Sequence, residues 1–312
     1  MINNINKINF NISIIFLFFA LLLVFLEYFT LLSKSFLPTI TCLFLILTIG
    51  MSHGSLDHLK GYKVLKYYKI SNIFLFYISY IFLACIIITV WIFKPTLMLA
   101  LFLIFASYHF GKEDSWGENN SLFIPFELSY FLKGSLIVWL PLWLSFDKTL
   151  MLFDTLGIKN QEFYNLLIFL SDNNFFPFLV SLSFLISITL NIETGSSKFK
   201  YLPDVIAVYA LYATFNPLIA FTIYFCFLHS VRHSACLIND MKINLVSFIK
   251  KAWPLTMLTA ILFFGGIYIL TGFQKVDIDS SIINVIFIGL ASLTFPHILL
   301  EYLLEKNEKK RN

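Results

Sequence analysis

The chain of 312 residues carries six histidines, His53, His58, His109, His229, His233 and His297, and every one falls at or near the end of an apolar run. Ionisable side chains at membrane depth are costly; they are kept where they face the protein interior with a partner, and they mark functional sites. Neutral imidazole is the commonest biological ligand for iron, copper and zinc. Imidazoles brought to one leaflet by four separate helices therefore predict a metal site. His229 and His233, in FLHSVRHS, are i and i+4, about 40° and 6 Å apart on a helix, a spacing that suits two ligands to one ion. His53 and His58, in MSHGSLDHLK, are i and i+5, about 140° apart on a continuous helix. They share a face only if Gly54 ends that helix, so one of the two is expected not to be a ligand.

Carboxylates follow three of these histidines at four residues: Asp57 after His53, Glu113 after His109, and Glu301 after His297. An acid so placed can accept the second ring N–H and fix the tautomer of a metal-bound imidazole, provided the helix continues that far. Gly54 and Gly111 interrupt the first two pairs as candidate helix ends. A histidine near a span end is also commonly a hydrogen-bonded interfacial residue, and that reading competes for His58 and His297. Arg232 reads as a lipid-headgroup or loop anchor, and Tyr108, Trp116, Tyr224 and Phe227 read as packing residues. Glu27, Glu127, Lys133 and Asp204 are charges in apolar spans without an assigned role; Glu127 either pairs with Lys133 or snorkels.

The elements that must position these side chains follow from composition. With 59% hydrophobic and only 13% charged residues, the chain is excluded from the ordinary soluble class. Taking about 20 apolar residues as one crossing, the hydropathy predicts spans near 9–32, 36–53, 71–93, 95–111, 122–146, 175–191, 202–215, 217–235, 253–272 and 281–303. The expectation is an all-α, polytopic membrane bundle of about ten helices, with 1–312 as a single catalytic transmembrane domain. Residues 164–170 read as an interfacial turn, and Asn216-Pro217 as a hairpin break or a kink. The first run, which contains Glu27 and lacks a small-residue cleavage site, reads as a retained span.

The formal net charge of +4 is too small and too dispersed for nucleic acid. Instead it sets topology: Lys60, Lys63, Lys66 and Lys69 place the 57–70 loop in the cytoplasm, and counting crossings puts both termini there too. The expected location is the cell (inner or plasma) membrane. Four scattered cysteines, Cys42, Cys85, Cys226 and Cys236, suggest free thiols.

Four blocks in order, HGSLDH (53–58), SYHFGKED (107–114), HSVRH (229–233) and PHILLE (296–301), use every histidine of the chain. Together they resemble the Brp/Blh family of bacterial and archaeal β-carotene 15,15'-dioxygenases. The resemblance implies an integral-membrane, iron(II)-dependent oxygenase that adds O2 across the central double bond of β-carotene. It would release two molecules of all-trans-retinal, the chromophore of a microbial rhodopsin. It carries the iron ligands onto His53, His109, His229 and His233, and leaves His58 and His297 at motif positions of less settled role. Asp57, Glu113 and Glu301 would act on the ligands rather than on the metal. A carotene is about as long as the hydrocarbon core is thick, ~30 Å, yet the histidines cluster toward the cytoplasmic side. A tilted or bent substrate tunnel, or broken helices that carry the site inward, is therefore expected.

Two other classes compete. A membrane di-iron lipid or carotenoid hydroxylase or desaturase would use HGSLDH and HSVRH as histidine boxes, but a third box of the HxxHH kind is missing, and Asp57 and Glu113 would have to contribute ligands. A histidine-relay transporter of metal ions or protons would show ionisable sites on more than one leaflet. A zinc protease is disfavoured, because HSVRH lacks the glutamate of HExxH.

Overall fold

A computed structural model describes residues 2–29, 38–51, 54–115, 125–189 and 200–309. Among them every element is helical: α1 (Ile2–Tyr28), α2 (Thr39–Leu45), α3 (Asp57–Tyr67), α4 (Phe74–Phe93), α5 (Pro95–Glu113), α6 (Phe126–Gly134), α7 (Leu136–Leu144), α8 (Phe146–Thr155), α9 (Gln161–Asp172), α10 (Phe175–Thr189), α11 (Leu202–Thr214), α12 (Pro217–Tyr224), α13 (Val231–Asp240), α14 (Leu245–Gly272) and α15 (Ile278–Lys309). Two π-helical segments, Ile46–Gly50 and Phe225–Ser230, continue α2 and α12, and a 3-10 turn at Gly54–Leu56 leads into α3. His53 and Trp116 lie outside the described residues.

Among the described residues, five helices are long and apolar enough to cross a membrane: Asn6–Tyr28 of α1, then α4, α5, α14 and most of α15. The number rises to eight if each of three bent pairs is one span. This is the architecture of a membrane protein, with fewer full-length crossings than the ten read from hydropathy. The predicted span 122–146 turns a corner of 108° into α8, where the Thr149 hydroxyl donates to the Pro141 carbonyl at 2.9 Å. Residues 164–170 are not a turn but part of α9. Asn160 caps that helix by accepting from the Phe163 N–H at 2.8 Å, and α9 bends by 70° into α10. Asn216-Pro217 is a helix boundary: the Asn216 side chain accepts from Ile219 N–H at 3.0 Å, and Pro217 opens α12 at the position where its missing donor costs nothing. Pro95 does the same for α5 and holds Lys94 at φ −140°, outside helical space, so α4 ends there.

Two departures from regular helix shape the centre. Met51 N–H donates five residues back to Ile46 at 2.7 Å, a π bond that widens the turn and re-aims the side chains after it. The second π segment crosses the first, with the Ser230 hydroxyl donating to the Gly50 carbonyl at 3.0 Å. A Cβ on Gly50 would stand 2.6 Å from the Phe225 ring, so a larger residue there would push that ring out of place. α15 forms the spine of this region, packing on α3, α4, α5 and α14, while α5 lies against α6 and α1 against α11.

Candidate metal centre

Four of the six histidines converge. His109 comes from the last turn of α5, His229 from the second π segment, His233 from α13, and His297 from the middle of α15. Ring centroids are 5.4 Å apart for His109 and His229, 5.1 Å for His109 and His297, and 5.9 Å for His233 and His297. These contacts run His229, His109, His297, His233, so the HSVRH pair is linked through α5 and α15. The reason is local: His229 stands in the π turn and His233 in the α-helix after it, and the regular 3.6-residue spacing does not span that junction. All four rings are buried, His229 to 1% exposure. Of the two histidines in HGSLDH, His53 is outside the described residues. His58 sits at the start of α3, where its Nδ1 donates to the Ser55 carbonyl at 3.1 Å.

The carboxylates reach these rings across helices instead of along them. His297 Nδ1 donates to Asp57 at 2.8 Å, and the Tyr80 hydroxyl donates to the same carboxylate at 3.0 Å. Asp57 opens α3, where the helix dipole favours a negative charge. Glu113 lies 3.5 Å from His233. Glu301 is paired with Lys60, so the four-residue spacing to His297 is not the pairing used. Asp114, which the sequence reading passes over, faces His229 Nδ1 at 3.3 Å and accepts from Tyr224 Oη at 2.5 Å. A ring whose Nδ1–H is given to a carboxylate carries its lone pair on Nε2, which is how a protein fixes an imidazole for a metal. Only adjacency of Asp114 to Glu113 in SYHFGKED hinted at its role.

Asp114 is itself held by a buried charge network. Arg232 is 1% exposed and not a headgroup or loop anchor, because its partners lie inside the bundle. Its guanidinium reaches both oxygens of Asp204 at 2.9 and 3.1 Å, Ser13 of α1 at 2.9 Å, and Asp114 at 3.3 Å. Lys133 donates to the Asp114 carbonyl at 2.6 Å and lies over the Tyr201 ring, while Glu127 is exposed at the start of α6 and does not pair with it. Two cations and two carboxylates thus neutralise one another away from water. Removing one member strands the rest: Arg232→Ala is expected to cost about 3–5 kcal/mol of stability. Arg232→Lys should recover only part of that, since lysine cannot reproduce the forked contact with Asp204. Thermal unfolding in detergent checks both.

His109 and His297 also line an apolar cavity of about 190 Å³, bounded by Phe76, Tyr80, Phe110, Phe225, Leu255 and Leu290 together with His58 and Asp57. Three further lining residues, Ile81, Leu258 and Leu262, are 60%, 49% and 65% exposed on the outer surface, so the cavity opens between α4 and α14 onto the apolar flank. A second cavity of about 460 Å³ meets His109 from the other side and is lined by Lys112, Glu113, Glu301 and Glu305. His233, His297 and Glu301 each place one donor atom so that all three lie within 4.8 Å of one another. Imidazoles and carboxylates in this number suit a divalent transition ion such as ferrous iron.

Residues 44–305 match the family model described as beta-carotene 15,15'-dioxygenase. A beta-carotene 15,15'-dioxygenase from an uncultured marine bacterium (66A03) is 28% identical over 262 residues, covering 82% of this chain and 90% of the relative. No solved structure matches the chain.

Proposed function

Because the chain belongs to the beta-carotene 15,15'-dioxygenase family, we propose that it cleaves β-carotene at the central 15,15' double bond with O2, using ferrous iron held by the buried histidines, and gives two molecules of retinal. One observation carries this reading: the apolar cavity that opens on the bundle flank ends on His109 and His297. A substrate with no charge and no polar handle is selected by such a wall and drawn from lipid. The cavity of about 190 Å³ holds a short stretch of polyene, and the remainder of the molecule extends through the mouth between α4 and α14. The site lies toward the cytoplasmic leaflet of the cell membrane, with both termini inside and the ten hydropathy spans arranged as full and broken crossings. The product suits a retinal-binding rhodopsin in the same bilayer.

Bound at the cluster, ferrous iron supplies the electrons and open positions that make O2 reactive toward a polyene. The ligand set proposed from the sequence, His53, His109, His229 and His233, leaves Asp57, Asp114 and Glu113 to orient rings. Asp57 holds His297 with Nε2 turned toward the cluster, and Asp114 does the same for His229. Phe110, Phe225 and Leu290 keep water from the reacting bond. The conversion balances without a proton: one O2 enters, the central carbon–carbon double bond breaks, and two carbonyls form.

Exhaustive chelation of the purified protein is expected to lower retinal formation by more than about 100-fold, with Fe(II) but not Zn(II) restoring it. Turnover that survives in metal-free protein would contradict the proposal, and two irons per chain would favour the hydroxylase or desaturase class.

A further inference from the structure

We infer that His297 and Glu301 of α15, together with His233 of α13, form a two-histidine, one-carboxylate face of the metal centre, so that the last helix supplies metal ligands. This rests on the reading of the cluster as a ferrous site and revises its ligand set, since three donors on this face leave room for at most two of the other histidines if a position is to stay open for O2.

Two donors at about 2.0–2.2 Å from one ion stand at most about 4.4 Å apart. Donors that share one face stand closer, about 3 Å apart; those of His233, His297 and Glu301 lie within 4.8 Å of each other, so side-chain shifts of about 1 Å bring all three onto one ion. Two imidazoles and one carboxylate on one face, with the other positions open, is the donor set used by non-haem ferrous oxygenases. Each member is oriented by something other than the metal. Asp57 takes the Nδ1–H of His297, Glu113 stands 3.5 Å from His233, and Lys60 takes Oε1 of Glu301. Glu113 and Glu301 also line the 460 Å³ cavity, which places two carboxylates beside the cluster on a side other than the substrate cavity.

Lys60 separates a ligand from a mere ion-pair partner. The test is anaerobic Fe(II) titration of the full-length purified protein, read as iron bound per chain and as the ferrous-nitrosyl electron paramagnetic resonance spectrum. Four proteins are compared: wild type, Glu301→Gln, His297→Gln and Lys60→Met. Glu301→Gln is nearly isosteric, so folding is preserved. The expected result is Fe(II) affinity at least about 100-fold weaker in Glu301→Gln and His297→Gln, with an altered nitrosyl spectrum. Lys60→Met, which leaves the carboxylate in place but removes the group that orients it, should weaken Fe(II) binding by only about 10-fold. If Glu301→Gln and Lys60→Met weaken iron equally, or if both α15 variants bind iron as wild type does, the inference falls while the ferrous reading stands. Wild-type protein that binds no iron overturns both.

Discussion

His229→Ala is expected to lower carotene cleavage by more than about 100-fold in a protein that still inserts and folds. The size of the effect follows from the number of interactions meeting at one ring. His229 is 1% exposed, contacts His109 at 5.4 Å and is oriented by Asp114 at 3.3 Å. Loss of an orienting partner of a metal-bound imidazole typically costs about 10- to 100-fold, and loss of the imidazole itself removes what the partner orients. Folding survives because Arg232, Asp204 and Ser13 keep their mutual contacts without the ring. Iron content and retinal yield, measured on the same membrane preparation, check this. Retinal yield within a few-fold of wild type would remove His229 from the centre.

Gly111→Ala is expected to be nearly as severe for a different reason. A Cβ on Gly111 would stand 1.7 Å from the Tyr130 carbonyl oxygen, and one on Gly134 would stand 1.9 Å from that of Ser107. Both obstacles are backbone, which no rotamer change can relieve. Helices α5 and α6 would have to part by about 1.5 Å, and overpacking of this kind costs about 1–3 kcal/mol or more. The displaced segment carries His109 two residues before the glycine and Asp114 three after it. A 1 Å misplacement of reacting groups costs about 100-fold in rate. Gly265→Ala, where nothing lies within 4 Å of the added carbon, is the control and should be neutral. Melting temperature and turnover of the two variants, compared side by side, test the prediction; a Gly111→Ala protein as stable and active as the control would refute it.

These two positions also mark what could be read before the fold was known. The histidines were legible because ionisable residues in an apolar chain are few, and their order along it carried the family resemblance. Gly111 reads as a helix end in one dimension, yet α5 runs through it to Glu113, and its role appears only when α6 crosses it. One carboxylate partner is hidden in one dimension for a similar reason. Spacing along a helix suggested Glu301 for His297, whereas the partner is Asp57, 240 residues away. Arg232 was read as a surface anchor because the acids that neutralise it, Asp204 and Asp114, lie on other elements. The span count differs at 202–215 and 217–235, where α11 has only 13 residues and the stretch after Asn216 is divided among α12, a π segment and α13, since hydropathy reports apolar length and not helix breaks.

The most direct measurement is chromatography of extracts from a bacterial host engineered to accumulate β-carotene and expressing either wild-type protein or His229→Ala. Central cleavage at the histidine cluster predicts loss of orange colour with retinal as the main product for wild type, and unchanged carotene for the variant. Unchanged carotene with inserted, iron-loaded wild type, or products of unequal length or with added hydroxyl groups, would contradict it.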